Sequence, residues 1–257
     1  MKIKKENIGK NFFVFTNENH TFTTDAVLLA DFAEIKSKEK VCEFGTGCGI
    51  ISVIFVRDNL TNEKIFSVEI SKEACELFSK TLKENGIEDK IKIINNDLKN
   101  VKEFFPHASF DVVTMNPPYF EIGTGKKNEN EEVIVARHEV KCDIFSVAES
   151  AAFALKHGGR FVVCHRAERL SDVFEAMRKN KIEPKRLRFV MSNENESPYL
   201  ILVEGRKGGK NNLKILSPLI LNKNGNPSEE YLRIYSAFYE KEEESIGEAL
   251  CCRYTDR

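Results

Sequence analysis

The chain has 257 residues, of which 41% are hydrophobic and 31% charged, and its formal net charge is -1. This length suits one large α/β domain or two small ones, and the composition is that of an ordinary globular protein. No stretch approaches the roughly 20 apolar residues that cross a bilayer, and no apolar segment follows the basic start, so we expect neither a membrane span nor a signal peptide. The near-zero charge does not by itself indicate a nucleic-acid-binding protein.

The cysteines and the basic segments bear on whether the protein binds a metal or a nucleic acid. The seven cysteines are scattered and lack the spacing of a zinc site, so we expect reduced cytoplasmic thiols and no bound metal. Basic residues concentrate at 179–188 and 206–210. Such runs are usually solvated surface, and they give a nucleic-acid partner only supporting weight.

From residue 40 onward the pattern alternates between strand and helix, which predicts a parallel sheet with helices on both faces. The predicted strands are 40–44, 64–69, 91–95, 110–115, 160–164, 186–191 and 199–204. The predicted helices between them are 50–59, 72–85, 143–156 and 167–179.

The last two predicted strands differ from the others. Only residues 192–198 separate them, too few for a crossover helix, so we expect an antiparallel hairpin. Before the sheet, residues 24–32 read as a capped helix, and after residue 204 the chain is polar and then helical from Ser228. We expect a single domain over 1–257, with a cap segment at 1–38, a core at 39–205 and an extension at 206–257.

A glycine-rich loop follows the first predicted strand of the sheet. Glycines let the backbone approach a ligand closely, and the next helix directs free amides toward that ligand. The carboxylate that precedes the loop would repel a pyrophosphate but attract the amino group and sulfonium of S-adenosylmethionine. The spacing Gly-x-Gly-x-Gly therefore favours this cofactor over a dinucleotide, with predicted contacts at Glu43, Gly45, Thr46, Gly47 and Gly49.

Two further carboxylates end the next two predicted strands. Glu69, followed by Ile70, is placed to accept from both ribose hydroxyls, and Asp97, followed by Leu98, to accept from an adenine amino group. Each could instead be a helix cap, and the glycines an ordinary turn. Their occurrence after three consecutive strands favours a cofactor site at the carboxyl edge of the sheet.

The sequence Asn116-Pro117-Pro118-Tyr119 follows the predicted strand 110–115. Two prolines make a rigid turn and remove two donors, which leaves the Asn116 side-chain oxygen and the Pro117 carbonyl as acceptors for a planar amino group. Such acceptors stabilise the charge that develops when the nitrogen attacks a methyl group, and Tyr119 offers a face for stacking. The alternative is a proline-rich turn with a buried tyrosine.

Together these motifs resemble the class I S-adenosylmethionine-dependent methyltransferases, in the branch that carries Asn-Pro-Pro-Tyr. Within it the chain is similar to the tRNA adenine-N6 methyltransferases that modify the adenine 3′ of the anticodon of a valine tRNA. The resemblance implies a Rossmann-like seven-stranded sheet, S-adenosylmethionine, a tRNA substrate and a cytoplasmic location. It also implies that Asp25 covers the methionine end of the cofactor. The matching segments are 22–32, 116–120, 136–139 and 165–170.

Substrate contacts are expected from basic residues near the reaction centre. Lys126 and Lys127 could form a lip over the substrate, and Arg137 could contact phosphate or instead cap the next helix. The predicted substrate-binding residues are Lys126, Lys127, Arg137, His165, Arg166 and Arg169.

Three other functions stay open. The same acceptors suit N5-methylation of a release-factor glutamine or N2-methylation of guanine in ribosomal RNA, and a non-catalytic cofactor- or RNA-binding scaffold is the third. Release-factor enzymes carry an additional N-terminal helical domain, whereas residues 1–42 alone precede the glycine loop. The sequence leaves the oligomeric state open, and a monomer is compatible with it.

Overall fold

The structure is a computed structural model and describes residues 2–117 and 143–238. The predicted catalytic residues Pro118 and Tyr119 lie outside the described residues, as do three of the predicted substrate-binding residues, Lys126, Lys127 and Arg137.

The described part contains both strands and helices. The strands are β1 (Lys4–Asn7), β2 (Phe13–Thr16), β3 (Val41–Phe44), β4 (Ile65–Glu69), β5 (Ile91–Asn95), β6 (Phe110–Met115), β7 (Leu155–Arg166), β8 (Ile182–Asn193), β9 (Leu200–Lys207), β10 (Lys214–Ile215), β11 (Leu219–Lys223) and β12 (Asn226–Pro227). The α-helices are α1 (Thr24–Phe32), α2 (Ile50–Arg57), α3 (Lys72–Asn85), α4 (Val101–Phe104), α5 (Ile144–Ala154), α6 (Leu170–Lys179) and α7 (Glu229–Tyr235).

Within the described residues, ten strands form one sheet in the order β12-β11-β8-β9-β7-β6-β3-β4-β5, with β10 beside β8. The neighbours from β5 to β7 pair in parallel, whereas β9 runs antiparallel to both β7 and β8. The mixed α/β fold, the seven predicted strands and the antiparallel hairpin are therefore confirmed.

The sequence pattern does not predict the β1–β2 hairpin or the strands β10, β11 and β12. The outer edge of β2 is held by α3, since the Asn85 amide accepts from the Phe13 N–H and donates to the Phe13 carbonyl, both at 2.8 Å. Strands β10 and β11 pair along β8, and β12, which contains Pro227, closes the sheet beside β11. These strands are short, and their partners are distant in sequence.

A hydrophobic cluster lies on each face of the sheet. One joins α1, α2 and α7, with Leu28, Phe55 and Tyr231 fully buried, and the other joins α5 and α6 through residues such as Val147 and Met177. Burial on both faces explains the nearly continuous apolar sequence of the central strands. Among the described helices, none has the length and apolar character needed to cross a bilayer.

The segment that leads into α1 lies at the carboxyl edge of the parallel strands. The Asn17 amide donates to Glu73 at 2.8 Å, and His20 Nε2 lies 3.2 Å from the Ser71 hydroxyl, both at the start of α3. Helix α1 begins shortly afterwards with Asp25 buried in its first turn. Within the predicted cap segment 1–38, helix α1 therefore begins at the same edge of the sheet as the glycine loop.

Candidate active site

The glycine loop curls back over β4. Gly45, Gly47 and Gly49 all have left-handed backbones, with φ of 62°, 55° and 88°. The Gly45 N–H donates to the Val68 carbonyl at 2.8 Å, and Gly49 starts α2 against Phe78. A Cβ on Gly49 would lie 2.1 Å from the Phe78 ring, so this position needs glycine for both conformation and space.

Glu43 lies beneath this loop, 1% exposed. Its Oε2 accepts from the Ser52 N–H at 3.0 Å and from the Ser52 hydroxyl, which in turn contacts the Ser67 hydroxyl at 2.8 Å. Burial raises the pKa of Glu43 to about 7, against hydrogen bonds from Ser52 that lower it. The carboxyl group thus anchors the first turn of α2, and its contact with a cofactor stays a prediction.

Sequence reasoning misses the part played by Ser52. Its signal is present, because Ser52 is a lone hydroxyl in the otherwise apolar run that opens α2, Ile50-Ile51-Ser52-Val53-Ile54. A buried polar residue at such a position needs a hydrogen-bonding partner. The carboxyl group of Glu43 supplies it.

Glu69 joins the glycine loop to the end of β4. One carboxylate oxygen accepts from the Gly47 N–H and the other from the Ser71 N–H, each at 2.8 Å. Beside it, the side chain of Ile70 is 58% exposed. A carboxylate therefore lies next to an open apolar surface, which suits a ribose that carries a flat base.

The end of β5 is tied to the same place. The Asn95 amide donates to the Glu69 carbonyl at 2.8 Å and to the Ile70 carbonyl at 3.1 Å, a contact that the sequence does not predict. Asp97 accepts from the Lys99 N–H at 2.9 Å and so caps the short turn that contains the buried Leu98. Asp97 is therefore a helix cap, as the alternative interpretation of the sequence proposed. Its contact with adenine stays a prediction.

The strand register brings the two predicted halves of the site together. Phe44 pairs with Met115 across β3 and β6, and paired strands lie about 5 Å apart, so Gly45 and Asn116 leave adjacent strands side by side. Asn116 is half-buried, its side-chain oxygen accepts from the Cys164 thiol at 3.0 Å, and Pro117 is buried. Asn116 and Pro117, the described part of the acceptor turn 116–119, therefore adjoin the glycine loop.

Of the remaining predicted substrate residues, His165 and Arg166 end β7 and Arg169 follows it, at the same edge of the sheet. Burial lowers the pKa of His165 to about 4, so its ring is neutral at physiological pH, and its Nδ1 accepts from the Arg166 N–H at 2.9 Å. Arg166 pairs with Glu168 at 3.0 Å, and Arg169 forms an ion pair with Asp172. Both guanidinium groups are exposed enough to exchange these partners for another anion.

This set of groups fits S-adenosylmethionine. The left-handed loop leaves open space above Gly47, where an added Cβ would meet no atom within 4 Å. Carboxyl groups lie at or just past the carboxyl ends of three adjacent strands, at Glu43, Glu69 and Asp97, and they match a ligand with an ammonium group, ribose hydroxyls and an adenine amino group. Within residues 2–117 and 143–238, no group of three or more histidine, cysteine or acidic residues could hold a metal ion.

Sequence comparison finds methyltransferase relatives. The chain is 25% identical over 221 residues to a tRNA1(Val) (adenine(37)-N6)-methyltransferase of a Flavobacteriaceae bacterium, which covers 85% of this chain and 91% of the relative. It is 31% identical over 140 residues to a protein of the same name from Phocaeicola vulgatus, covering 54% of this chain and 57% of the relative. The second match thus spans about half of each protein.

Structure comparison supports the fold. A predicted O-methyltransferase from Agrobacterium tumefaciens superposes with a TM-score of 0.67 at 17% identity, covering 85% of this chain and 98% of the other. NSun6 from Pyrococcus horikoshii superposes with a TM-score of 0.56 at 13% identity, covering 74% and 53%. At these identities the likeness concerns the fold alone, which is that of the class I methyltransferases.

A family model, the methyltransferase small domain, matches residues 11–185. The match runs from β2 to the start of β8 and so includes the glycine loop, Glu69 and Asn116. The chain belongs to the methyltransferase small domain family.

Proposed function

We propose that the protein transfers a methyl group from S-adenosylmethionine to N6 of an adenine in tRNA, namely adenine 37 beside the anticodon of a valine tRNA. The names of its relatives support the substrate. The observation that carries the chemistry is the adjacency of Asn116 to the glycine loop, imposed by the β3–β6 register.

When bound, S-adenosylmethionine supplies an activated methyl group. The chain holds the adenine amino group beside it, because the Asn116 oxygen and the Pro117 carbonyl accept from its two N–H bonds. These acceptors share the positive charge that develops on nitrogen, and orientation by adjacent rigid strands lowers the barrier further. The proton leaves after methyl transfer, so no general base is needed beforehand. In the proposal Pro118 stiffens this turn, and Tyr119 stacks on the base.

The cofactor contacts follow the strand ends. Each Glu69 oxygen already accepts one backbone hydrogen bond and keeps a lone pair for a ribose hydroxyl. Ile70 and Leu98 flank the adenine in this proposal, and Asp97 accepts from its amino group. The glycine loop, with Thr46 in it, and the buried carboxyls of Glu43 and Asp25 surround the methionine end.

RNA binding is assigned to the rim beyond β7. Arg166 and Arg169 exchange Glu168 and Asp172 for phosphate, and this exchange makes binding weaken steeply with salt. In the proposal Lys126, Lys127 and Arg137 add phosphate contacts, and the neutral His165 packs beside the base. Because tRNA is modified where it is used, we infer a cytoplasmic location.

The test is methyl transfer from labelled S-adenosylmethionine to tRNA from a strain that lacks the modification. We expect the label in N6-methyladenosine after digestion to nucleosides, and no label when adenine 37 of a valine tRNA transcript is replaced by guanine. Label in N2-methylguanosine or in a release-factor glutamine would assign one of the rival activities, and no transfer to any acceptor would favour a binding scaffold.

A further inference from the structure

Cys164 lies directly behind the acceptor turn. Met115 pairs with Val163 across β6 and β7, and this register places Cys164 beside Asn116 on the next strand. Cys164 is 0% exposed, and its thiol donates to the Asn116 side-chain oxygen at 3.0 Å. The contact therefore comes from the interior of the protein and not from the edge where a substrate would enter.

Such a contact controls the orientation of an asparagine side chain. The terminal torsion of asparagine is soft, so an unrestrained amide can rotate and present NH2 where an oxygen is needed. An amide oxygen has two lone pairs. A donor fixed on the interior side occupies one of them and leaves the other directed toward the open edge, where a substrate N–H can reach it.

We propose that Cys164 is a positioning residue that holds the Asn116 oxygen in its acceptor orientation. This proposal rests on the proposed function, since it assigns Asn116 the role of acceptor for the substrate amino group. Cys164 does not contact the substrate and undergoes no covalent chemistry. It acts only through the amide of Asn116.

The other described cysteines provide a comparison. Cys42, Cys48, Cys75 and Cys164 are all buried. Cys75 donates to a backbone carbonyl, that of Glu69, at 3.7 Å, whereas Cys164 donates to a side chain of the predicted reaction centre. Cys42 is as deeply buried as Cys164, on strand β3 of the same sheet, and so provides a matched control for the effect of core substitution.

The kinetic test compares Cys164→Val, Cys164→Ser and the control Cys42→Val. Valine is apolar, larger than cysteine by about one methyl group, and lacks the donor, so we expect kcat to fall about tenfold with KM for S-adenosylmethionine unchanged. Serine keeps a donor and should retain most of the turnover, and Cys42→Val should leave kcat near the wild-type value. A Cys164→Val protein that turns over like wild type, or a serine variant that loses as much as the valine variant, would overturn the proposal.

An infrared measurement tests the contact without RNA or turnover. The S–H stretching band of Cys164 is identified by subtracting the spectrum of Cys164→Ser from that of the wild type. We expect this band to move to higher frequency in Asn116→Ala, where the acceptor is gone, and an unmoved band would refute the contact. If the wild type transfers no methyl group, the proposed function fails, and the infrared band still decides whether Cys164 holds Asn116.

Discussion

The role of Asn116 is tested most directly by removing its acceptor. In Asn116→Ala we expect methyl transfer to fall by about two to three orders of magnitude, as for loss of one preorganised group that stabilises charge. Cofactor affinity should persist, because Glu69 and the glycine loop lie on other strands. Single-turnover transfer and calorimetric binding of S-adenosylmethionine measure the two effects.

The control for that variant is Asn226→Ala, since Asn226 is exposed at the far end of the sheet. It should match the wild type in both measurements. Near-normal turnover in Asn116→Ala, or a parallel loss of cofactor affinity, would show that Asn116 is not the acceptor for the substrate amino group.

The buried carboxyl group of Glu43 makes stability depend on pH. Its pKa is raised from 4.5 to about 7 in the folded state, so between these values the folded chain holds a proton that the unfolded chain has lost. The stabilisation is complete below pH 4.5 and is lost as pH rises through 7, a change of about 3 kcal/mol.

Glu43→Gln stays neutral and should lack this loss. The measurement is urea unfolding of both proteins at pH 5 and pH 8. Subtracting the pH dependence of the Glu43→Gln variant from that of the wild type removes the contribution of other titrating groups, such as His165. The lowered pKa of His165 makes stability rise with pH, which is opposite to the effect of Glu43. Equal pH dependence in the two proteins would contradict the expectation.

Among the elements, helix α1 is held at its carboxyl end by two arginines from the sheet. Arg160 donates to the Ala33 carbonyl at 2.7 Å, and Arg186 donates to the Phe32 carbonyl at 2.9 Å. Glu204, which is buried, accepts from both guanidinium groups at 2.8 and 3.4 Å. Cations at this end of a helix also interact favourably with its dipole.

Removing the shared carboxylate should therefore be costly. In Glu204→Gln the two guanidinium groups lose their shared carboxylate, although Arg160 keeps Glu39 and Arg186 keeps Glu34 as ion-pair partners. We expect the free energy of unfolding to fall by about 1.5–3 kcal/mol, as for the loss of a hydrogen bond to a charged group. The control is Glu149→Gln, which breaks the exposed pair with Lys102 and should cost less than about 1 kcal/mol. Denaturant unfolding measures both, and similar losses would show that Glu204 behaves as a surface charge.

At the start of α2, the steric need for glycine at Gly49 can be measured separately from the need for a left-handed backbone. Gly49 and Gly86 both have left-handed backbones, but only Gly49 faces a ring, whereas an added Cβ at Gly86 would meet no atom within 4 Å. Gly86→Ala should cost about 1–2 kcal/mol from conformation alone. Gly49→Ala should cost about 1–3 kcal/mol more, because the Phe78 ring must move. Thermal unfolding compares the two, and equal costs would contradict the steric argument.

At the scale of the whole molecule, the features that the sequence predicts are those encoded within short segments. Strand β6 ends in its acceptor turn, β3 in its glycine loop and β4 in Glu69, and parallel pairing then brings these ends to one edge of the sheet. The fold class and the neighbourhood of the two motifs follow from that rule.

Other contacts could not be predicted because their partners are remote in sequence. The Cys164 thiol meets an amide 48 positions earlier, and the hairpin strand β2 is completed by Asn85, 72 positions after Phe13. Strand β10 has only two residues, and they form a strand because they pair with β8, which is distant in sequence. The acidic partners of Arg166 and Arg169 are near in sequence, but sequence spacing alone does not fix which charged side chains pair.

The outermost strand has a consequence for self-association. β12 is two residues long, and Pro227 has no amide hydrogen to offer a neighbour. A strand from another molecule would find too few donors there to continue the ladder, so this border is a poor template for fibrous stacking. At the β12 edge of the sheet, this proline therefore opposes strand pairing with a second molecule at high concentration.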